Sequence, residues 1–412
     1  MAPEALSDGG SEAANYCGSV TMTQRPVAVI HNRYLQAGGE DTAVEAQVRL
    51  LQSSGIRVAL FESSNDELAS MSSVRRAGAT MWNRHARDDV RKFLERERPS
   101  VAHFHNTFTL LSPSVYSAAR ALGIPVVQSL HNYRTICPNA LLFRDGAPCE
   151  ECVMRRAKWP AIVHACYRAD RGASAATAGM LFAHAQRGTW KKDVNAFIAL
   201  TEFSRTKFIQ GGLPAARIAV SPSFLSEDPG VGEHRGGFAL FVGRLSAEKG
   251  LGTLLDAWKL SGANGRSLRI VGSGPLDATL DKSISGVSWL GECTHEHVLS
   301  LMRDATFLIV PSECYESFPM TLVEAFATGL PVIASDHGAM AEIVAHEKTG
   351  IRFARADPHD LSRVIHLAFS RPAQLAAYGA AARAEFEARY TSEHALERLV
   401  AIYARAATMV AA

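Results

Sequence analysis

The sequence predicts two tandem α/β domains, each built on a doubly wound parallel sheet. The chain has 412 residues, more than one hydrophobic core usually organises. Short β-branched runs alternate with longer helical patterns, which is typical of parallel strands joined by helical crossovers. Residues 223–237 interrupt this alternation with glycine, proline and charge, so we expect a linker there. Two such domains would face each other across a cleft at the carboxyl ends of both sheets.

The first domain is predicted over residues 25–222. Residues 1–24 lack an apolar period and predict a flexible tail. Six short apolar runs then predict strands, at Val27–Ile30, Arg57–Phe61, Val101–His105, Pro125–His131, Ala196–Thr201 and Arg217–Pro222.

The second domain is predicted over residues 238–385. Its strand-like runs are Phe238–Gly243, Ser267–Gly272, Val287–Gly291, Phe307–Ser312 and Pro331–Ser335. After about Ala354 only helical patterns remain. We expect residues 386–412 to form a helix that packs back toward the first domain.

Composition narrows the class of protein. A 47% hydrophobic and 20% charged chain is globular, and a net charge of +2 gives no reason to expect nucleic acid as a partner. Seven cysteines without an amino-terminal leader pattern, and no apolar run of spanning length, predict a cytoplasmic protein with reduced thiols.

The two halves differ in charge. Residues 1–222 hold 26 basic and 19 acidic side chains, a net of +7, whereas residues 223–412 hold 17 and 22, a net of −5. Basic clusters in the first half suit peripheral contact with an anionic membrane on its cytoplasmic face, and solvated helix faces are the alternative. These clusters are Arg75–Arg76, Arg84–Lys92 and Arg155–Lys158.

A short helix is predicted after Pro319, which suits a first helical position, and it would end at Gly329. The first amides of this helix, on Met320, Thr321 and Leu322, have no intrahelical partner and would form a phosphate site. Glu316 precedes the helix and Glu324 lies within it. Two carboxylates beside a phosphate suit a nucleotide sugar, with ribose at one and the transferred sugar at the other; one buried and one solvated glutamate is the alternative.

Two cationic side chains lie in the loop between a predicted strand and the next helix. Arg244 follows the run Phe238–Gly243, and Lys249 precedes the next helix. A guanidinium and an ammonium at one site stabilise the charge that grows on a diphosphate leaving group. A solvated pair is the alternative for these two residues alone.

Together these motifs resemble a known family. Gly243-Arg244-Leu245, Glu248-Lys249-Gly250, Gly272-Ser273-Gly274-Pro275 and the Glu316/Glu324 pair resemble the second domain of the family 4 retaining glycosyltransferases, which have the GT-B fold. The resemblance spans Arg25 to Tyr403. It implies transfer of a sugar from a UDP- or GDP-sugar, with retention of anomeric configuration. The implied acceptor is a glycan or lipid-linked molecule in cell-surface polysaccharide or glycoconjugate synthesis.

The resemblance also implies residue roles. Arg244 and Lys249 would hold the diphosphate, Glu324 the ribose and Glu316 the donor sugar, while His131 would face that sugar from the first domain. The implied catalytic residues are thus His131, Glu316, Arg244 and Lys249. Further donor contacts are expected at Gly38, Gly39, Gly272, Gly274, Phe318, Met320, Thr321 and Leu322, and acceptor contacts at His105, Asn106 and Asn132.

In this chemistry the leaving diphosphate accepts the proton of the acceptor. No Asp-x-Asp triplet is present to anchor a metal, so we expect catalysis without a cofactor. Cys137, Cys149, Cys152 and Cys166 are enough for a closed structural zinc site, and four unrelated reduced thiols are the alternative.

Other classes fit less well. A nicotinamide oxidoreductase would need glycine where Asp277 stands in the fingerprint that starts at Gly272. A sugar phosphorylase would need a lysine in a pyridoxal context, which we do not find. A GT-B sugar-nucleotide epimerase and a non-catalytic nucleotide-sugar-binding protein remain open as alternatives.

Overall fold

The structure is a computed structural model, and it describes residues 25–33, 38–65, 71–262 and 265–411. The predicted tail, residues 1–24, lies outside this part of the chain. The described residues form two α/β domains with six-stranded parallel sheets, which confirms the predicted fold class.

The first domain has strands that run in the sheet order β2-β1-β3-β4-β7-β8, with β5 and β6 forming a separate antiparallel hairpin. Its strands are β1 (Val27–Arg33), β2 (Val58–Ser64), β3 (Val101–Phe104), β4 (Val126–Ser129), β5 (Phe143–Arg144), β6 (Ala147–Pro148), β7 (Ala196–Ala199) and β8 (Ile218–Val220). Each parallel strand overlaps an apolar run of the sequence. The central strands β3, β4 and β7 are fully buried, as expected for strands covered on both faces.

Nine helices cover or flank this sheet within the described residues. They are α1 (Gly39–Ser53), α2 (Ser73–Met81), α3 (Arg84–Glu97), α4 (Tyr116–Ala121), α5 (Glu151–Met154), α6 (Trp159–Val163), α7 (Arg171–Arg187), α8 (Thr189–Lys192) and α9 (Glu202–Gln210). Residues 130–195, between β4 and β7, hold the hairpin and α5 to α8, so this connection carries much more than one crossover helix.

The second domain has the sheet order β11-β10-β9-β12-β13-β14. Its strands are β9 (Phe238–Val242), β10 (Ser267–Val271), β11 (Val287–Gly291), β12 (Phe307–Val310), β13 (Val332–Ser335) and β14 (Gly350–Phe353). Its helices are α10 (Leu251–Ser261), α11 (His295–Asp304), α12 (Met320–Thr328), α13 (Gly338–Ile343), α14 (Pro358–Ser370) and α15 (Pro372–Arg389).

The last helix, α16 (Ser392–Ala411), returns to the first domain. Its buried residues Leu399, Ile402 and Tyr403 pack in one core with Val29 and Val127 of the first sheet. The predicted crossing is therefore confirmed, and its predicted boundary lies at 385/386. It falls inside α15, whose Phe386 packs in the second domain, and the chain crosses after Arg389.

The sequence predicted eleven of the parallel strands and missed β14 and the β5/β6 hairpin. Strand β14 has only four residues, Gly350–Phe353, with an arginine among them, so it shows no clear apolar run. The hairpin strands have two residues each, which is too short for any periodic pattern.

Candidate active site

A cleft of about 890 Å³ lies between the two domains, at the carboxyl ends of both sheets. Its volume suits a nucleotide sugar, because ligand sites usually enclose about 300–1,000 Å³. Ten of the predicted site residues line it: Gly38, Gly39, His131, Asn132, Arg244, Lys249, Glu316, Phe318, Met320 and Thr321. An adjoining pocket of about 670 Å³ shares Gly39, His131 and Met320 and adds Glu324.

Lys249 and Glu316 form an ion pair on the wall of the cleft. The Lys249 Nζ donates to Oε1 of Glu316 at 2.6 Å, and the Ser312 hydroxyl donates to the same oxygen at 2.8 Å. Burial lowers the pKa of Lys249, but the charge of Glu316 outweighs it and holds this pKa above its ordinary value. The lysine therefore carries a full positive charge beside the Glu316 carboxylate.

Arg244 is exposed in the same cleft and is paired with Glu248. Its guanidinium Nη2 donates to Oε1 of Glu248 at 2.5 Å, and the Ser246 hydroxyl donates to that oxygen at 2.7 Å. Burial raises the pKa of Glu248, but Arg244 and Ser246 outweigh it and keep the pKa low. The sequence contained the signal for this pair, because residues 244 and 248 are four apart in one short loop.

Gly272 and Gly274 are not among the residues that line the cleft, so their contact with the donor stays a prediction. Gly272 has φ +132°, and a Cβ there would lie 2.0 Å from the carbonyl oxygen of Gly243. A Cβ on Gly274 would lie 2.5 Å from the carbonyl oxygen of Leu245. Both glycines let the loop after β10 pack against the loop that carries Arg244.

Helix α12 begins at the cleft, as predicted, but its start differs in detail. Pro319 is the N-cap residue rather than the first helical one. The amide of Leu322 donates to the carbonyl oxygen of Pro319 at 3.1 Å, and the Leu322 side chain is buried in the core. The prediction that the Leu322 amide has no partner within the helix is therefore wrong. Met320 and Thr321 keep their place at the cleft, with amides that no helical carbonyl reaches.

Glu324 lies inside α12, mostly buried, and has a partner that the sequence did not reveal. Nε2 of His295 lies 3.0 Å from its Oε1. The hydrogen bond to Glu324 raises the pKa of His295 above its ordinary value, because it stabilises the imidazolium. Twenty-nine residues separate the two, and no local pattern joins them.

His131 is the outermost of a row of histidines. Its Nε2 lies 2.8 Å from Nδ1 of His105, and the His105 ring stacks on His103 with centroids 4.3 Å apart. Burial lowers the pKa of His103 to about 3, and burial with the charge of His31 lowers that of His131 to about 4. His131 is therefore neutral at physiological pH and faces the cleft as a hydrogen-bonding group.

His105 and Asn106 lie behind His131 and are not among the residues that line the cleft, so their role as acceptor contacts stays a prediction. They line a small cavity of about 40 Å³ that adjoins the cleft, since His131 and Asn132 line both. Asn106 Nδ2 donates to the carbonyl oxygen of Asn32 at 2.7 Å, which ties two strand ends together. Asn132 does reach the cleft, and its Nδ2 donates to Glu40 at 3.2 Å.

Several hydrogen bonds join the two domains beside Glu316. The Tyr133 hydroxyl donates to the carbonyl oxygen of Glu316 at 3.3 Å. The Tyr315 hydroxyl donates to Glu150 at 2.9 Å, and Lys207 donates to both oxygens of Glu150 at 2.8 Å. These residues hold the Glu316 loop against the first domain. The sequence carried no signal for the two contacts between the domains, because the partners are 183 and 165 residues apart along the chain.

The four predicted zinc ligands lie in the connection between β4 and β7. Burial and the neighbouring Cys137 raise the pKa of Cys152 to about 11, and the same two causes raise that of Cys166. All four cysteines are free thiols. In the part of the chain that the structure describes, no three or more histidine, cysteine or acidic side chains are arranged to hold a metal ion. Zinc therefore stays a prediction that this arrangement does not support.

Comparison with protein families agrees with this geometry. The model of the group 1 glycosyl transferases matches residues 230–385, and that of the glycosyl transferase 4-like domain matches residues 38–223. The chain belongs to the group 1 glycosyl transferases. The resemblance seen in the sequence is thereby confirmed. One match covers the whole second sheet, and the other covers the first sheet except β1.

Curated relatives of this glycosyl transferase match over part of the chain. An uncharacterized glycosyltransferase of Methanocaldococcus jannaschii is 35% identical over 133 residues, 31% of this chain and 37% of the relative. The amylovoran biosynthesis glycosyltransferase AmsK of Erwinia amylovora is 28% identical over 181 residues, 41% of this chain and 44% of the relative. In both cases, the matched stretch covers less than half of the relative's length.

Solved structures match over nearly the whole glycosyl transferase. Sucrose-phosphate synthase of Thermosynechococcus elongatus has a TM-score of 0.70 at 16% identity, covering 94% of this chain and all of that one. Anabaena HepE in complex with UDP has a TM-score of 0.63 at 16% identity, covering 91% and 98%. At this identity the likeness shows the fold alone, which is GT-B.

Among the helices of the described residues, none has the length and apolar character needed to cross a bilayer.

The buried histidines make stability depend on pH. Each histidine has a pKa near 6.5 in the unfolded chain, so unfolding takes up protons below this pH and the folded state loses stability as pH falls. For His103, with a folded pKa of about 3, the loss between pH 7 and pH 5 is about 2 kcal/mol.

Urea unfolding at pH 7 and pH 5 measures this loss. The variant His103→Gln should show a smaller loss than the parent between the two pH values. The variant His359→Gln, which changes an exposed histidine, should show the parent's loss. An identical pH dependence in the parent and in His103→Gln would contradict the prediction.

Proposed function

We propose that this glycosyl transferase moves a sugar from a nucleotide diphosphate sugar to a glycan or lipid-linked acceptor, with retention of anomeric configuration. The observation that carries the proposal is the Lys249–Glu316 pair, which stands at the start of α12 in a cleft that Arg244 also lines. A cation for phosphate and a carboxylate for sugar hydroxyls are thus held within hydrogen-bond distance of each other.

The donor is oriented by groups on the second domain. Its diphosphate lies against Lys249, Arg244 and the first amides of α12, where the positive end of the helix dipole favours an anion. Its ribose hydroxyls bond to Glu324 in the adjoining pocket, and its sugar hydroxyls bond to Glu316. The sugar then points across the cleft at the first domain.

Transfer with retention follows from that orientation. As the bond between the sugar and the diphosphate breaks, negative charge grows on the leaving oxygen, and Lys249 and Arg244 stabilise it. That oxygen accepts the proton of the acceptor hydroxyl, which attacks the same face of the sugar. His131 stays neutral because burial lowers its pKa to about 4, so it hydrogen-bonds the sugar without repelling the cation-like transition state.

Two comparisons guide the choice of substrates. HepE has been solved with UDP and with UDP-glucose, so uridine donors are tested first and guanosine donors second. AmsK is named for amylovoran biosynthesis, which supports a role in cell-surface polysaccharide or glycoconjugate synthesis. Such a role places the protein in the cytoplasm, where nucleotide sugars are made.

The test is a screen of UDP- and GDP-sugars for thermal stabilisation, followed by hydrolysis and transfer assays with the best donor. We expect one donor class to raise the melting temperature and to be hydrolysed slowly, and NMR to show that the product keeps the donor's anomeric configuration. Binding without hydrolysis or transfer would instead indicate a non-catalytic binding protein, and a changed sugar on an intact nucleotide would indicate an epimerase.

A further inference from the structure

A second depression, separate from the cleft, lies on the first domain. It has a volume of about 570 Å³ and is lined by Trp82, Arg84, Arg87, Asp88 and Arg187. Three arginines against one aspartate give it a positive charge. None of these residues lines the cleft, so the proposed transfer reaction does not account for them.

The positive charge of two of these arginines is not balanced by a carboxylate within the described part of the chain. Arg87 pairs with Asp88 at 2.8 Å, whereas Arg84 and Arg187 have no carboxylate partner among the described residues. The Arg187 guanidinium lies over the Trp82 ring at 4.6 Å, and that ring stacks on His184 with centroids 5.5 Å apart. The stacked rings hold Arg187 in place. Arg187 lies far from Arg84 in sequence, and the fold brings both to the depression.

Helix α3 begins at this depression. Arg84 and Arg87 lie in its first turn, which contains no acidic residue. The positive end of the helix dipole disfavours cations there and favours an anion. An anion in the depression would therefore relieve repulsion among the two arginines and the helix start.

Exposed apolar side chains lie on the segments that carry the depression: Met81 precedes Trp82, and Phe182 lies on α7 with Arg187. Met81 and Phe182 are 40% and 62% exposed. A Cβ on Gly179 would lie 3.8 Å from Cε of Met81, so Met81 covers α7 one turn before Phe182. Apolar side chains beside a basic site are typical of proteins that bind anionic lipid surfaces.

We propose that this surface docks the protein on an anionic membrane, with a lipid phosphate in the depression and Met81 and Phe182 in contact with the lipid. The sequence predicted basic clusters, but the structure separates them. Lys92 pairs with Asp89 and Arg155 with Glu151, whereas Arg84 is joined by Arg187, which belongs to none of the clusters. The docking extends the proposed function, since a membrane would present a lipid-linked acceptor.

The experiment is co-sedimentation of the full chain, without donor, with vesicles of phosphatidylcholine alone or mixed with phosphatidylglycerol. We expect binding to the mixed vesicles only, weakened by salt. The double variant Arg84→Glu/Arg187→Glu should bind roughly tenfold more weakly or worse, because each basic residue near an anionic surface contributes about 1 kcal/mol. Phe182→Ser should also weaken binding.

Matched controls change the same types of residue elsewhere. Arg96→Glu/Arg235→Glu alters the same charge at exposed positions, and Leu260→Ser removes an exposed apolar side chain of the second domain. Both should bind as the parent does. Donor hydrolysis should be unchanged in every variant, which shows that each is folded.

Three results would overturn the docking surface. They are absence of binding to mixed vesicles, equal loss in the variants and their controls, and binding of inorganic phosphate through Arg84 and Arg187 without vesicle binding. The last would make the depression a site for free phosphate. A failure of the proposed function is distinguishable, because it would abolish hydrolysis and transfer while vesicle binding stays.

Discussion

Replacing Lys249 with alanine is expected to lower kcat/KM for sugar transfer roughly 10²- to 10³-fold, the effect of removing one preorganised group that stabilises developing negative charge. The Lys249 Nζ is held by Glu316 at 2.6 Å in the cleft, and its pKa is raised, so it carries a full charge where we propose that the diphosphate leaves. Glu316→Ala should have a similarly large effect, because the sugar loses its carboxylate partner and Lys249 loses its orientation.

Steady-state kinetics with the donor found in the screen measures both variants. Lys259→Ala, an exposed lysine on α10, is the control and should retain the parent's rate. Circular dichroism establishes that each variant is folded. Activity of Lys249→Ala within a few-fold of the parent would show that the diphosphate lies elsewhere.

Replacing Gly272 with alanine is expected to destabilise the second domain by about 3 kcal/mol or more, because strain at φ +132° adds to a steric clash. The new Cβ would lie 2.0 Å from the carbonyl oxygen of Gly243, so this loop must move. Since Arg244 follows directly, donor affinity should fall together with stability.

Thermal unfolding and donor binding of Gly272→Ala are compared with those of Gly252→Ala. A Cβ on Gly252 meets nothing within 4 Å, and its φ is not in the left-handed region. The control should therefore be as stable as the parent or more so, since alanine favours a helix. Equal melting temperatures for the two variants would contradict the proposed role of Gly272.

Local patterns were enough to predict much of the site. Glu316, Met320 and Thr321 are neighbours in the chain, and Arg244 and Lys249 share one loop, so their common position at the cleft follows from where a strand ends and a helix begins. The resemblance then added His131 and the glycines of the first domain. These residues reach the cleft because parallel strands present their carboxyl ends at one edge of a sheet.

The same patterns failed where burial decides. Leu322 follows Thr321 in the helix, yet it turns into the core while its neighbour faces the cleft. His105 and Asn106 end a strand as His131 does, but they lie one layer deeper. Gly272 and Gly274 let two loops pack closely, which their place in the motif did not reveal. A sequence motif gives the order of residues, but it does not show which side chains are buried in the core and which face the cleft.

By itself, the sequence determined the number of domains, the parallel sheets, the returning helix and the chemical type of the site. Each of these depends on apolar periodicity or on residues close together in the chain. Only the tertiary structure decided which residues face the cleft, how Glu150, Lys207 and Tyr315 hold the two domains together, and where Arg187 joins Arg84. Such contacts form between elements far apart in sequence, and only packing brings them together.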